Sequence, residues 1–224
     1  MQNPDALGLV SKKVILDANS FPVLWQVLRI AIYDEYRAYE FYKAVMNAHG
    51  VSEPFSNIMQ AEIRHYETLI KLAQKHEIEP PINDLEGSIT PPNTLQEAYE
   101  LGVAYEIENI QMYDYLISYV RDYPDIVDVF YRLQAASFNN HLPAFRSHVS
   151  NSGLNSQELM EKFNEVSQTA QKVIAGEVGP SELTKLLNNI SFSLLGGLLA
   201  GGVGGLAINE ILNNIKKEEK DEEE

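Results

Sequence analysis

Residues 31–45 read AIYDEYRAYEFYKAV. Traced from Leu24 at steps of three and four, this part of the chain gives Leu24, Leu28, Ala31, Glu35, Ala38, Tyr42 and Val45, the apolar stripe of a long helix with an acid at its centre. A carboxylate removed from water costs several kcal/mol unless a cation or a set of hydrogen bonds compensates it. What neutralises Glu35 is therefore the question the rest of the chain has to answer.

The same pattern returns three times. The first helix is expected from a cap at Ser20, with Pro22 in its first turn, to His49, where Gly50 stops it. Ser52 and Pro54 open a second, with the stripe Phe55, Ile58, Glu62, His65, Leu69, Leu72 and His76. Residues 78–93, IEPPINDLEGSITPPN, hold four prolines and form a connection long enough to run the length of a helix pair. TLQE at 94–97 is a capping box, and the third helix behind it aligns Leu95, Gly102, Glu106, Ile110, Tyr113, Ile117 and Val120. After RDYPD a fourth stripe carries Val127, Phe130, Gln134, Phe138, His141, Phe145 and His148. Every stripe has a metal-competent side chain near its middle.

Short links make helices one and two a hairpin, and likewise three and four. Glu35 stands 14 residues before His49, and Glu62 and His65 stand 10 and 13 after Ser52, so all three share one height. Glu106 and His141 are level by the same reasoning. No Lys or Arg occupies the matching heights of the four stripes. Glu35, Glu62, His65, Glu106 and His141 thus form a candidate site of three carboxylates and two imidazoles, donors that suit iron, manganese or zinc. The tyrosines at 39, 42, 66, 105 and 113 read as core and rim packing, and His76 and His148 as core histidines bonded to backbone. Glu40, Glu67 and Glu108 fall off the stripes and read as solvated surface.

Composition narrows the partners. The 224 residues, 45% hydrophobic, suffice for one sizeable core with an appendage, and a net charge of −15 argues against nucleic acid or an anionic lipid surface. The absence of cysteine excludes thiolate metal sites, disulfides and thiol catalysis. The N-terminus shows no basic start followed by an apolar run, so the expectation is a cytoplasmic main body. Residues 155–189 are expected to form accessory helices. Residues 190–208, ISFSLLGGLLAGGVGGLAI, carry no charge and two rows of small residues, which fits a membrane-spanning helix that tethers the body to the inner face of a membrane. It equally fits a Gly-rich helix at a homo-oligomer interface. Residues 209–224 close the chain as a charged tail.

The segments DEYRAYEFY, AEIRHYETL, LQEAYELGVAYEIENI and AASFNNHLPAF, in this order and around this crossover, resemble the ferritin-like di-metal carboxylate superfamily over residues 20–150. They are most similar to a ferritin-like prokaryotic family of unassigned biochemical role. The resemblance implies an all-α, up-down-down-up four-helix bundle and a pair of iron or manganese ions held by Glu35, Glu62, His65, Glu106 and His141, with Glu62 bridging. It further implies oxidation of ferrous iron by dioxygen or peroxide, the alternative being a metal-storing or metal-sensing bundle without turnover. One departure stands out: the superfamily pattern asks for an acid three residues before His141, where this chain has Phe138. Helix four then supplies one ligand, and the second metal position lacks a carboxylate.

Overall fold

The computed structural model describes residues 21–149 without a break, together with Val10, residues 13–16 and scattered positions between 161 and 182. The readings for 190–208 and 209–224 lie outside the described residues, as does most of 155–189. Among the described residues the regular structure is entirely helical: α1 (Val23–His49), α2 (Phe55–Lys75), α3 (Leu95–Ile117), α4 (Pro124–Ala136), a π-helical segment (Ser137–His141) and α5 (Leu142–Arg146). No helix among them is long and apolar enough to cross a membrane.

Local chemistry accounts for most of the helix ends. Gly50 adopts φ 65°, the left-handed conformation that costs glycine least, and returns its N–H to the Met46 carbonyl. The α3 capping box is complete, Thr94 accepting from the Glu97 N–H while the Glu97 carboxylate accepts from the Thr94 N–H. The other two expected starts differ in detail. Helix α1 begins at Val23 after Pro22, and α2 at Phe55 after Pro54, neither with a side-chain cap.

Contacts define how the helices pair. Helices α1 and α2 are antiparallel, with Tyr42 against Phe55 at one end and Tyr36 against Tyr66 further along. The connection after α2 then travels back along α1. Arg29 donates to the Glu79 carbonyl at 2.7 Å, Tyr33 to Asp84 at 2.8 Å, and His49 Nε2 lies 2.9 Å from the Pro92 carbonyl. This return explains its length, since the 20 residues from Arg29 to His49 cover about 30 Å of helix. Helix α3 starts beside Phe55 through Tyr99 and runs antiparallel to α1, from Tyr105 on Phe41 to Tyr113 on Glu35. The last helical stretch returns along α3, from Phe130 on Tyr113 to Phe145 at Gly102. Gly102 permits that approach, because a Cβ there would stand 2.7 Å from the Phe145 ring.

Two apolar clusters result. One joins Leu28, Ile32, Leu69, Leu72, Leu116 and Phe130; the other joins Phe41, Val45, Phe55, Ile58, Ile107 and Phe145. The mid-stripe acids and histidines occupy the layer where one cluster gives way to the other.

The fourth stripe departs from the regular spacing. At Ser137–His141 the helix widens, the Leu142 N–H reaching the Ser137 carbonyl five residues back. Pro143 supplies no N–H and its ring crowds the preceding turn, and the wider turn directly before it accommodates both. As a result Phe138 turns outward with 40% exposure, whereas Ser137 is buried. The expectation that Phe138 lines the inner seam is therefore incorrect, and Ser137 is the residue of that turn that faces inward.

Candidate metal centre

The helical periods carry the five candidate side chains to one place. Glu35 comes from α1, Glu62 and His65 from successive turns of α2, Glu106 from α3, and His141 from the last residue of the π-helical segment. Two groups form: Glu35, Glu62 and His65, and Glu62, Glu106 and His141, each with one donor atom per residue within 4.8 Å of the others. Glu62 belongs to both. Its Oε2 lies 2.8 Å from His65 Nδ1 and its Oε1 lies 3.3 Å from His141 Nδ1. His65 Nδ1 is also 3.1 Å from Glu35, and His141 Nδ1 is 3.3 Å from Glu106. The two imidazoles stack at 5.6 Å. All three carboxylates are buried, and among the described residues no Lys or Arg pairs with any of them.

The electrostatics follow from this crowding. Burial, then the neighbouring Glu62 charge, pushes the Glu35 carboxyl up to about 7. Burial works the same way on Glu62, but hydrogen bonds from Glu35, His141 and His65 outweigh it and hold Glu62 below its ordinary value. Burial opposes charging either imidazole. Glu35 and Glu62 nevertheless raise His65 to about 10, and Glu106 and Glu62 raise His141 to about 11. The layer gathers protons because it is an anionic pocket with no lysine or arginine in it among the described residues. A divalent ion would replace those protons.

Two tyrosines that the stripes assign to packing do more. Tyr42 on α1 donates at 2.5 Å to Glu106 on α3, and Tyr113 on α3 donates at 2.5 Å to Glu35 on α1. Both rings are fully buried, and burial together with the adjacent carboxylate lifts each phenol well above its ordinary range, so each stays a donor. The signal was present in the chain. Glu35 and Tyr42 are seven residues apart, as are Glu106 and Tyr113, and on antiparallel helices this shared spacing makes each tyrosine meet the other helix's acid.

Other sequence-based assignments need correction. Glu40 and Glu108 are not surface residues. Glu40 is buried, accepting from Asn83 at 3.0 Å, and Glu108 is buried against Lys13 at 2.5 Å and Arg37 at 3.0 Å. Asp34 completes that second cluster, 2.6 Å from Lys13 and 2.9 Å from Arg37. Burial alone would raise the Asp34 carboxyl, and Lys13 and Arg37 bring it below its ordinary value. Asn109 joins the two clusters by donating to Asp34 at 3.1 Å and to Glu35 at 3.3 Å, and Ser137 donates to Asn109 at 2.9 Å. His76 is bonded to the Asp125 carboxylate at 2.9 Å rather than to backbone, and His148 stacks on Tyr99. Glu67 is exposed, as expected.

Comparison with family models, with curated proteins and with solved structures finds no match to this chain.

Proposed function

We propose that this chain is a ferritin-like, up-down-down-up four-helix bundle that holds two divalent transition-metal ions and oxidises ferrous iron with dioxygen or peroxide. The observation that carries the reading is Glu62, one carboxylate shared by two otherwise separate three-residue groups inside a layer that has no lysine or arginine partner among the described residues. Helix directions taken pair by pair, with the long return along α1, support the architecture.

In this reading Glu35 and His65 would hold one ion and Glu106 and His141 the other, with Glu62 shared between them. Nitrogen and oxygen donors in this proportion suit iron or manganese, with zinc also accommodated. A pair of ferrous ions so held would supply electrons to dioxygen or peroxide. The chain's own contribution is positional. Tyr42 and Tyr113 fix one oxygen of Glu106 and of Glu35, and the two apolar clusters exclude water from above and below. His65 and His141 would have to give up their protons to hold an ion.

The test is elemental analysis of full-length protein purified without chelators, followed by iron-dependent consumption of dioxygen or peroxide. Two ions per chain are expected, none in Glu62→Ala, and the wild-type number in Glu67→Ala. Equal metal content in all three proteins would overturn the site. Bound metal without oxidant consumption would leave the storing or sensing bundle. A role for 190–208 as membrane tether or oligomer interface is part of this proposal, checked by deleting residues 190–224. The truncated chain should need no detergent, should change oligomeric size and should keep its metal.

A further inference from the structure

Beside the candidate centre lies a cavity with about 10 Å³ of water-accessible space, lined by Asp34, Arg37, Ala38, Tyr42, Glu62, Tyr105, Glu106 and Asn109. That is room for one water-sized particle. Its inner wall is made of Glu62 and Glu106. Of the eight lining residues only Arg37, Ala38 and Tyr105 reach the surface, so they form its mouth. Arg37 closes that mouth, stacked on the Tyr105 ring at 5.2 Å and held by Asp34 and Glu108.

Three features point to a cation as the traveller. Three of the lining side chains are carboxylates. Glu108, behind Arg37, keeps its Oε2 buried without a hydrogen-bond partner. Lys13 also binds both Asp34 and Glu108, so when the guanidinium swings out one of the two negative charges stays compensated and the other is left for an incoming cation. A hydrated divalent ion is too large for the cavity, so passage requires Arg37 to swing outward and the ion to exchange water for the lining carboxylates of Asp34, Glu62 and Glu106.

We propose that this cavity is the transit site through which a divalent ion reaches Glu62 and Glu106, with Arg37 as its gate. The proposal rests on the two-ion reading above. Arg37 acts by position and charge, being neither a ligand nor a catalytic group.

The experiment uses the metal-free full-length chain and cobalt(II) alone as the probe, with loading followed by stopped-flow absorption and the final content by elemental analysis. Arg37→Ala, which removes the gate, should load about tenfold faster. Ala38→Met fills the cavity with no change of charge and should load about tenfold slower. Both should end at the wild-type stoichiometry. Should Arg37→Ala fail to fold, Ala38→Met decides alone: slower loading supports the transit site, and an unchanged rate overturns it. Rates within twofold of wild type in both variants, with two ions bound, overturn the transit site and leave the metal centre standing. Wild-type protein that binds no cobalt overturns both.

Discussion

Two groups of buried acids sit side by side in this molecule and are neutralised in opposite ways. Asp34 and Glu108 are matched charge for charge by Lys13 and Arg37. Glu35, Glu62 and Glu106, joined to the first group through Asn109, have histidines, tyrosines and that one amide for partners and, among the described residues, no lysine or arginine. The first group is balanced in charge within the chain. The second is complete only with protons or ions from outside, and its raised Glu35, His65 and His141 express that deficit. Buried acids by themselves therefore do not mark a function. Buried acids without a lysine or arginine partner among the described residues are what the proposed metal site rests on.

The contrast is broken most directly by removing the cation from one side and an acid from the other. Lys13→Ala strands part of a buried ion pair and should cost about 3–5 kcal/mol in chemical denaturation, with no recovery on adding metal. Glu35→Gln should do the reverse. Its carboxyl, at about 7 in the metal-free fold against an ordinary 4.5, favours folding only while protonated. That contribution is fully present below pH 4.5 and lost as pH rises through about 7. Metal-free Glu35→Gln should then be at least as stable as wild type at pH 8, while losing the stabilisation that added metal confers on wild type. Equal metal dependence in the two variants would erase the distinction between the clusters.

The widened turn gives a second way to sharpen it. Ser137, not Phe138, faces inward and donates to Asn109, which in turn donates to Glu35. Ser137→Glu should destabilise the metal-free protein by on the order of 3 kcal/mol, because it adds an acid to the cation-poor layer. Much of that loss should return with ferrous or manganous ion, since the new carboxylate supplies what the fourth helical stretch lacks. Phe138→Glu, on the exposed face, should change stability by less than about 0.5 kcal/mol with or without metal. Melting curves of both variants decide it, and a metal-independent loss at Ser137 would show that the position faces packed side chains rather than ions.

How far all this was legible in the sequence depends on where the partners lie. Glu35, Glu62, His65, Glu106 and His141 were readable because each interrupts an apolar stripe on its own helix, and hairpin geometry converts sequence distance into height. Glu40 and Glu108 were not. They leave the stripes, and their partners Asn83 and Lys13 come from the proline-rich connection and the N-terminal segment, whose positions no helical period encodes. Phe138 was misplaced because a single π turn shifts every later residue around the axis, and Pro143 announced a disturbance there without its direction. The paired tyrosines were visible as a repeated spacing, yet that spacing gains meaning only once α1 and α3 are known to run in opposite directions.

Those tyrosines furnish a smaller test on the metal side of the comparison alone. Tyr42→Phe and Tyr113→Phe keep the ring and delete the donor to Glu106 and Glu35 respectively. Each should weaken ion binding about 10–100-fold at its own half of the layer, read by titration calorimetry, and leave the other half unchanged. Equal loss at both ions from either variant would mean that the layer responds as one unit.

A small effect belongs to an acid–cation group in contact with water, which calibrates both buried ones. Asp125, in the first turn of α4, lies 2.6 Å from Lys75 and 2.9 Å from His76, at the end of α2, with 31% of its side chain exposed. The hydrogen bonds from Lys75 and His76 bring its carboxyl down to about 2 from 3.8. An acid at a helix start and cations at a helix end also complement both macrodipoles. Because the folded value lies below the unfolded one, the stabilisation is present above pH 3.8 and is lost as pH falls through about 2. Solvent screening keeps it small, so Asp125→Asn should lower stability by less than about 1 kcal/mol at pH 7. Variant and wild type should converge near pH 2, and at neutral pH in 1 M salt. Lys13→Ala should not converge with wild type in salt, since its acids are shielded by protein rather than by ions. If both variants respond to salt alike, the Lys13 cluster is open to solvent and the comparison between buried and exposed pairing fails.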